Sequence, residues 1–109
     1  MDKAQLLKGL LEGCILEIIS RKETYGYAIT EDLNTYGFRD LNEGSVYPVL
    51  MRLEKNGFVD CDSRKSELGP RRKYYTINAH GLAYLKDFHL LWRDISKTVN
   101  VILEGDKNE

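Results

Sequence analysis

Apolar residues recur along this chain in three rhythms, and each rhythm predicts an element. Over residues 4–20, Leu7, Leu11, Cys14 and Ile18 return every three or four positions, and Leu10, Ile15 and Ile19 widen the stripe. That is the period of a helix with apolar contact on more than one side. Gly9 and Gly13 lie one turn apart within it. Glycine weakens a helix, so the pair reads either as a place where another helix comes close or as two tolerated glycines. A second helix is predicted over 25–36: Thr24 supplies a capping hydroxyl, Ile29, Leu33 and Tyr36 form the inner face, and Gly37 ends it. A third is predicted over 43–56, capped by Asn42, lined inside by Val46, Leu50 and Leu53, and stopped by Gly57. Pro48 falls inside this helix, where its ring and missing N–H cost least near the first turn and Gly44 eases the crowding.

The rhythm then shortens. Residues 58–62 (Phe58 to Asp62) and 73–77 (Lys73 to Ile77) are predicted as strands, the second being rich in aromatic and β-branched side chains. The polar run between them, Ser63 to Pro70, closes on the turn signal Gly69-Pro70. A hairpin tipped with basic residues follows from that arrangement. From Asn78, another capping residue, one long helix is predicted to about Leu103. Leu85, Phe88, Trp92, Ile95, Val99 and Ile102 alternate three- and four-residue steps, the a/d seam of a coiled coil. At 1.5 Å per residue this helix is roughly 38 Å long, more than the compact part of so short a chain covers. An identical chain is the simplest cover for the seam, which implies a homodimer interface; the alternative is a helix folded back entirely on its own domain.

The predicted fold class is mostly α with a two-stranded β-wing (α+β), a winged helix-turn-helix with a long C-terminal helix. Residues 1–77 are expected to form the DNA-binding domain, and 78–109 the dimerisation helix with a short acidic tail.

Composition narrows this picture. A chain of 109 residues, 42% hydrophobic and 30% charged, suits one globular domain rather than a disordered segment or a membrane span. The start, Met1 to Gln5, lacks the layout of a signal peptide, so a cytoplasmic protein with no membrane partner is expected. Cys14 and Cys61 form no ligand pair, and His80 and His89 complete no zinc pattern. No cofactor or metal is implied, and the cysteines read as reduced packing residues. The formal net charge of −1 decides nothing, because DNA binding needs local positive charge. Such charge gathers in Arg64, Lys65, Arg71, Arg72 and Lys73, diluted by Glu67, while Glu104, Asp106 and Glu109 make the tail acidic.

Three helices and a hairpin in this order place the third helix in a major groove and the wing over the neighbouring backbone or minor groove. The second and third helices begin with backbone N–H groups suited to phosphates. Double-stranded DNA is therefore the expected partner. The candidate contacts are Thr24, Tyr25, Asn42, Ser45, Tyr47, Pro48, Arg52, Lys65, Arg71, Arg72 and Lys73. The wing cations and Arg52 are assigned to phosphates, and the hydroxyls of Ser45 and Tyr47 to base edges.

Gly44 to Gly57, reading GSVYPVLMRLEKNG, resembles the recognition-helix signature of the PadR-like transcriptional regulators. Tyr25 to Ile29 resembles the start of that family's second helix, and Gly69 to Ile77 its second wing strand. Leu10 to Gly13 and Trp92 also fit. The resemblance implies a dimeric winged-helix repressor whose last helix packs on the partner chain. Short members include multidrug-responsive repressors whose paired tryptophans sandwich flat aromatic ligands. It thus implies a candidate site for a small planar aromatic effector at Trp92, Phe88, Ser96, Gly9, Glu12 and Gly13; the competing reading is that Trp92 only fills the interface. This sequence departs from the family at Ser45, where threonine is usual, and at Asn78-Ala79-His80-Gly81, which replaces a threonine-glutamate start.

Two rival classes remain. A winged helix that binds protein instead of DNA is compatible with the net charge. An enzyme is disfavoured: no nucleophile has a base in view, and the sequence carries no phosphate loop.

Overall fold

Gly9 divides the first predicted helix. In a computed structural model, which describes residues 3–66 and 69–105, its φ of +92° lies where glycine is favoured. Helix α1 (Lys3–Leu7) stops before it and α2 (Leu10–Arg21) begins after it. The single helix expected over 4–20 is therefore two. Gly13 does mark a close approach, and the approaching helix is the chain's own last one.

The second correction concerns Thr24. It does not cap a helix. With Tyr25 it forms a short strand, β1 (Thr24–Tyr25), and its side chain is buried. Helix α3 (Gly26–Tyr36) starts directly after, without any side-chain cap bond, and ends at Gly37. Helix α4 (Glu43–Lys55) starts as predicted, with the Asn42 side chain accepting from the Ser45 amide at 3.1 Å.

The wing is longer than predicted, comprising β2 (Val59–Ser66) and β3 (Gly69–Ile77). All three strands form one antiparallel sheet in the order β1-β3-β2. Ser66 pairs with Gly69, so Gly69-Pro70 belongs to the strand and not to the turn. Apolar alternation stops near Cys61, while backbone pairing continues through polar residues that carry no such signal. Glu67 and the acidic residues expected at Asp106 and Glu109 lie outside the described residues, as do Met1 and Asp2.

One core unites these pieces. Ile15, Leu16 and Ile19 of α2 meet Ile29 and Leu33 of α3, Val46, Leu50 and Leu53 of α4, and Val59 and Tyr75 of the sheet. Burying each of the large aliphatic side chains contributes roughly 1.5–3 kcal/mol. Thr30, buried in α3, donates its hydroxyl to the Gly26 carbonyl at 2.9 Å, which satisfies it locally.

Helix α5 (Ala79–Glu104) is anchored at its start and bare beyond it. The Asn78 side chain accepts from the Gly81 amide at 2.9 Å and donates to the Gly57 carbonyl at 2.9 Å. Gly81 lies so close to Phe58 that a Cβ there would fall 2.1 Å from the Phe58 carbonyl oxygen. Leu85 is buried in the chain's own core, which removes it from the expected dimer seam. Phe88 is half-buried over Gly13, and His89 Nε2 lies 2.6 Å from Glu17 Oε1, tying α5 to α2. Further along, Trp92 (48% exposed), Ile95 (51%), Val99 (44%) and Ile102 (70%) lie open. The molecule measures 64 × 30 × 20 Å, so its long dimension exceeds the others at least twofold. No helix among the described residues is long and apolar enough to cross a membrane.

Candidate nucleic-acid interface

Helix α4 turns Val46, Val49, Leu50 and Leu53 into the core, and the helical period then fixes what faces away. Gly44, Pro48, Met51 and Lys55 follow one another at four-, three- and four-residue steps and are all exposed. Tyr47 borders this stripe. Its ring lies across the start of α3, where Gly26 leaves room for it: a Cβ on Gly26 would come within 2.9 Å of the ring.

Between the starts of α3 and α4 and the wing lies a cleft of about 440 Å³ lined by Tyr25, Gly26, Tyr27, Glu43, Tyr47, Pro70, Arg71, Arg72 and Lys73. Five residues nominated from the sequence thus meet in one place: Tyr25, Tyr47, Arg71, Arg72 and Lys73. Arg71 donates to the Ser63 hydroxyl at 3.2 Å and to the Ser63 carbonyl at 2.9 Å. The Arg72 guanidinium stacks on the Tyr25 ring at 4.6 Å. Both contacts aim a cation while leaving it exposed.

Other nominated residues have different neighbours. Arg52 is directed toward α2, with its Nε 3.7 Å from a carboxylate oxygen of Glu12. Lys73 lies on the cleft but pairs with Glu54 at 3.2 Å, and this hydrogen bond raises its pKa above the ordinary lysine value. Thr24 is buried and presents no surface for DNA. Ser45 is half-buried in the first turn, Asn42 and Pro48 are exposed at the start of α4, and Lys65 is exposed beside the irregularity in the β2–β3 pairing.

Sequence reasoning missed Tyr27, Glu43 and Met51. Met51, 67% exposed, stands one turn beyond Pro48 on the outer stripe. Helical phase alone would have found it once the core face was known. Tyr27 is exposed one residue into α3, and the negative charge of Glu31 raises its hydroxyl pKa. Glu43, a carboxylate in a basic cleft, left no signal beyond its place in the first helical turn.

The residues nominated for an aromatic effector divide between two hollows. A trough of about 630 Å³ along α5 is lined by Gly9, Phe88, Trp92 and Ser96, with Leu6 and Ile95 among their neighbours. Gly13 instead lines a second hollow of about 240 Å³ with Phe88, Trp92, Cys14 and Glu17. Glu12 lines neither, its carboxylate being turned to Arg52. Burial, with a smaller contribution from Glu17, raises the Cys14 thiol pKa and keeps it protonated.

A helical pair α3–α4 beside a two-stranded wing, with a cationic cleft between them, defines a winged helix-turn-helix of the kind that regulates transcription by binding DNA. The pattern of PadR-like transcriptional regulators matches residues 15–87, and the chain belongs to that family. Its members are transcriptional regulators and not enzymes. Among solved structures it is similar to a PadR-like transcriptional regulator of Bacillus cereus, with 48% identity, coverage of 94% of this chain and 99% of that one, and a TM-score of 0.81. It is also similar to a Streptococcus transcriptional regulator, at 43% identity, 90% and 96% coverage, and a TM-score of 0.79. A transcriptional regulator of Mycobacterium tuberculosis is 28% identical over 85 residues, 78% of each chain.

Proposed function

We propose that this regulator is a cytoplasmic repressor that binds an inverted repeat in duplex DNA as a homodimer. Residues 1–77 form the reading unit and 78–109 the dimerising one. The observation that carries the reading is the single cleft between α4 and the wing. It brings Tyr27 of α3 and Tyr47 of α4 together with Arg71 and Arg72 of the wing. Phosphate contacts from the wing set the register, Ser45 and Tyr47 near the helix tip read base edges, and Met51 extends the exposed stripe further along α4. The first amides of α3, uncapped by any side chain, suit a phosphate next to Tyr25.

The bare length of α5 supports the homodimer. Trp92, Ile95, Val99 and Ile102 continue the seam after Leu85 enters the core, and a second copy supplies the matching face. Two-fold pairing sets the half-sites about one helical turn apart, roughly 34 Å. A planar aromatic effector that shifts this spacing has its best-supported seat in the trough lined by Phe88, Trp92 and Ser96.

Selection of binding sites from random duplex, followed by affinity measurements over a range of salt, tests the reading. Enrichment of an inverted repeat and a steep fall of affinity with salt are expected. Enrichment of nothing, with affinity indifferent to salt, would assign the surface to a protein partner. For the effector, titration with planar aromatic cations and phenols is expected to quench Trp92 emission; unchanged emission across the panel leaves Trp92 as interface filler.

A further inference from the structure

Little backbone ties the wing to the body. Strand β1 pairs with β3 only through Thr24↔Tyr75 and Tyr25↔Tyr74, and β2 is an edge strand bonded to β3 alone. The base of the wing is held in the core by Val59 and Tyr75, and beyond that base polar side chains brace it. On one face, Lys73 reaches Glu54 of α4. On the other, Arg64 of β2 lays its guanidinium over the Tyr74 ring at 4.6 Å and continues to Glu23, in the link between α2 and β1.

That contact is a two-pronged fork. Arg64 Nη1 donates to Glu23 Oε1 at 2.7 Å, and Nη2 to Oε2 at 2.7 Å. The third direction is taken as well, with Arg64 Nε donating to Asp62 Oδ2 at 3.0 Å. Tyr74 meets Tyr25 edge-on at 5.4 Å, and Arg72 covers Tyr25. One row of contacts therefore runs from Glu23 through Arg64, Tyr74 and Tyr25 to Arg72, a cation of the DNA cleft.

Exposed single ion pairs contribute little, but a bidentate arginine–carboxylate fork with a stacked guanidinium is the geometry in which they count. The charge balance also matters. Two carboxylates surround the Arg64 guanidinium, which makes it a poor phosphate ligand despite its place on a basic wing.

We propose that Glu23 and Arg64 position the wing for DNA: their fork latches edge strand β2 to the α2–β1 link and so holds Arg71 and Arg72 at the cleft. The proposal rests on the DNA-binding reading above. It has an unusual sign. A carboxylate, Glu23, strengthens the binding of a polyanion because it lowers the ordering cost of the wing on binding.

Full-length Glu23→Gln, Arg64→Gln, Arg64→Lys and the Glu23→Gln/Arg64→Gln double variant, checked for unchanged melting, are titrated with the duplex selected by the wild-type protein. Each single variant is expected to weaken affinity roughly three- to tenfold, the scale of an exposed charge network, with the salt slope unchanged. The double variant is expected to be no weaker than the weaker single one. Amide exchange of β2 in the DNA-free variants is expected to quicken. Glu23→Gln binding as well as or better than wild type overturns the proposal. So does an Arg64→Gln loss that Arg64→Lys restores with a lost unit of salt slope, since that marks a phosphate contact. A wild-type protein that selects no duplex ends the DNA reading and this proposal together; a wild-type protein that binds while the variants match it ends the proposal alone.

Discussion

Gly13 of α2 and Phe88 of α5 meet where no side chain fits between them: a Cβ on Gly13 would lie 2.4 Å from the phenyl ring. This contact lets α5 leave the core at the height of Phe88 and carry Trp92 into the open. It also separates two kinds of glycine. At Gly13 the obstacle is a half-buried ring that can swing, whereas at Gly81 it is the backbone carbonyl of Phe58.

Gly13→Ala is expected to destabilise the protein by about 1 kcal/mol, as overpacking outweighs the gain in helix propensity. Adding Phe88→Leu should recover most of that loss. Gly81→Ala is expected to cost about 3 kcal/mol, because nothing beside it can give way. Urea denaturation reads all three; a Gly13→Ala protein more stable than wild type would contradict the packing described.

Charge neutralisation separates the cations that face the cleft from those engaged elsewhere. Arg71→Gln and Arg72→Gln are each expected to reduce the salt slope of DNA binding by about one. Arg52→Gln should leave the slope unchanged, since Arg52 is directed to Glu12, and Lys73→Gln should change it by less than one, since Glu54 already holds the amine. Equal losses from all four would return Arg52 and Lys73 to the interface.

Tyr75 predicts an alkaline limit. Burial, helped by nearby Cys61, pushes its phenol up to about 12. The unfolded phenol titrates near 10, so the folded state holds the proton more tightly. Its contribution to stability is complete below about pH 10 and is lost as pH rises towards about 12. Tyr75→Phe should flatten the stability profile across that window, measured by denaturant titration at each pH. An unchanged slope would mean that Tyr75 is not the group responsible.

The order of the later helices and the hairpin was legible because the helices carry their own punctuation. Asn42 and Asn78 cap where polar side chains precede apolar periods, and Gly37 and Gly57 stop where a positive φ is needed. Thr24 misled because a β-branched hydroxyl residue suits a cap and a strand alike, and only pairing with Tyr75 decides between them. Leu85 misled because a heptad period does not say which partner covers it; Ile15 and its neighbours in the same chain do. In the cleft, the wing cations were legible as a cluster. The engagement of Lys73, and of Arg52 on α4, was not, since Glu54 comes to Lys73 from 19 residues away and Glu12 comes to Arg52 from α2.

The stoichiometry of the DNA complex tests the account most directly. Native mass spectrometry or sedimentation of the protein on its selected duplex is predicted to give two protomers per duplex. Val99→Glu, which places a charge on the bare stretch of α5, is predicted to give single subunits that no longer hold that duplex. One protomer per duplex at saturation, with Val99→Glu binding undiminished, would contradict it.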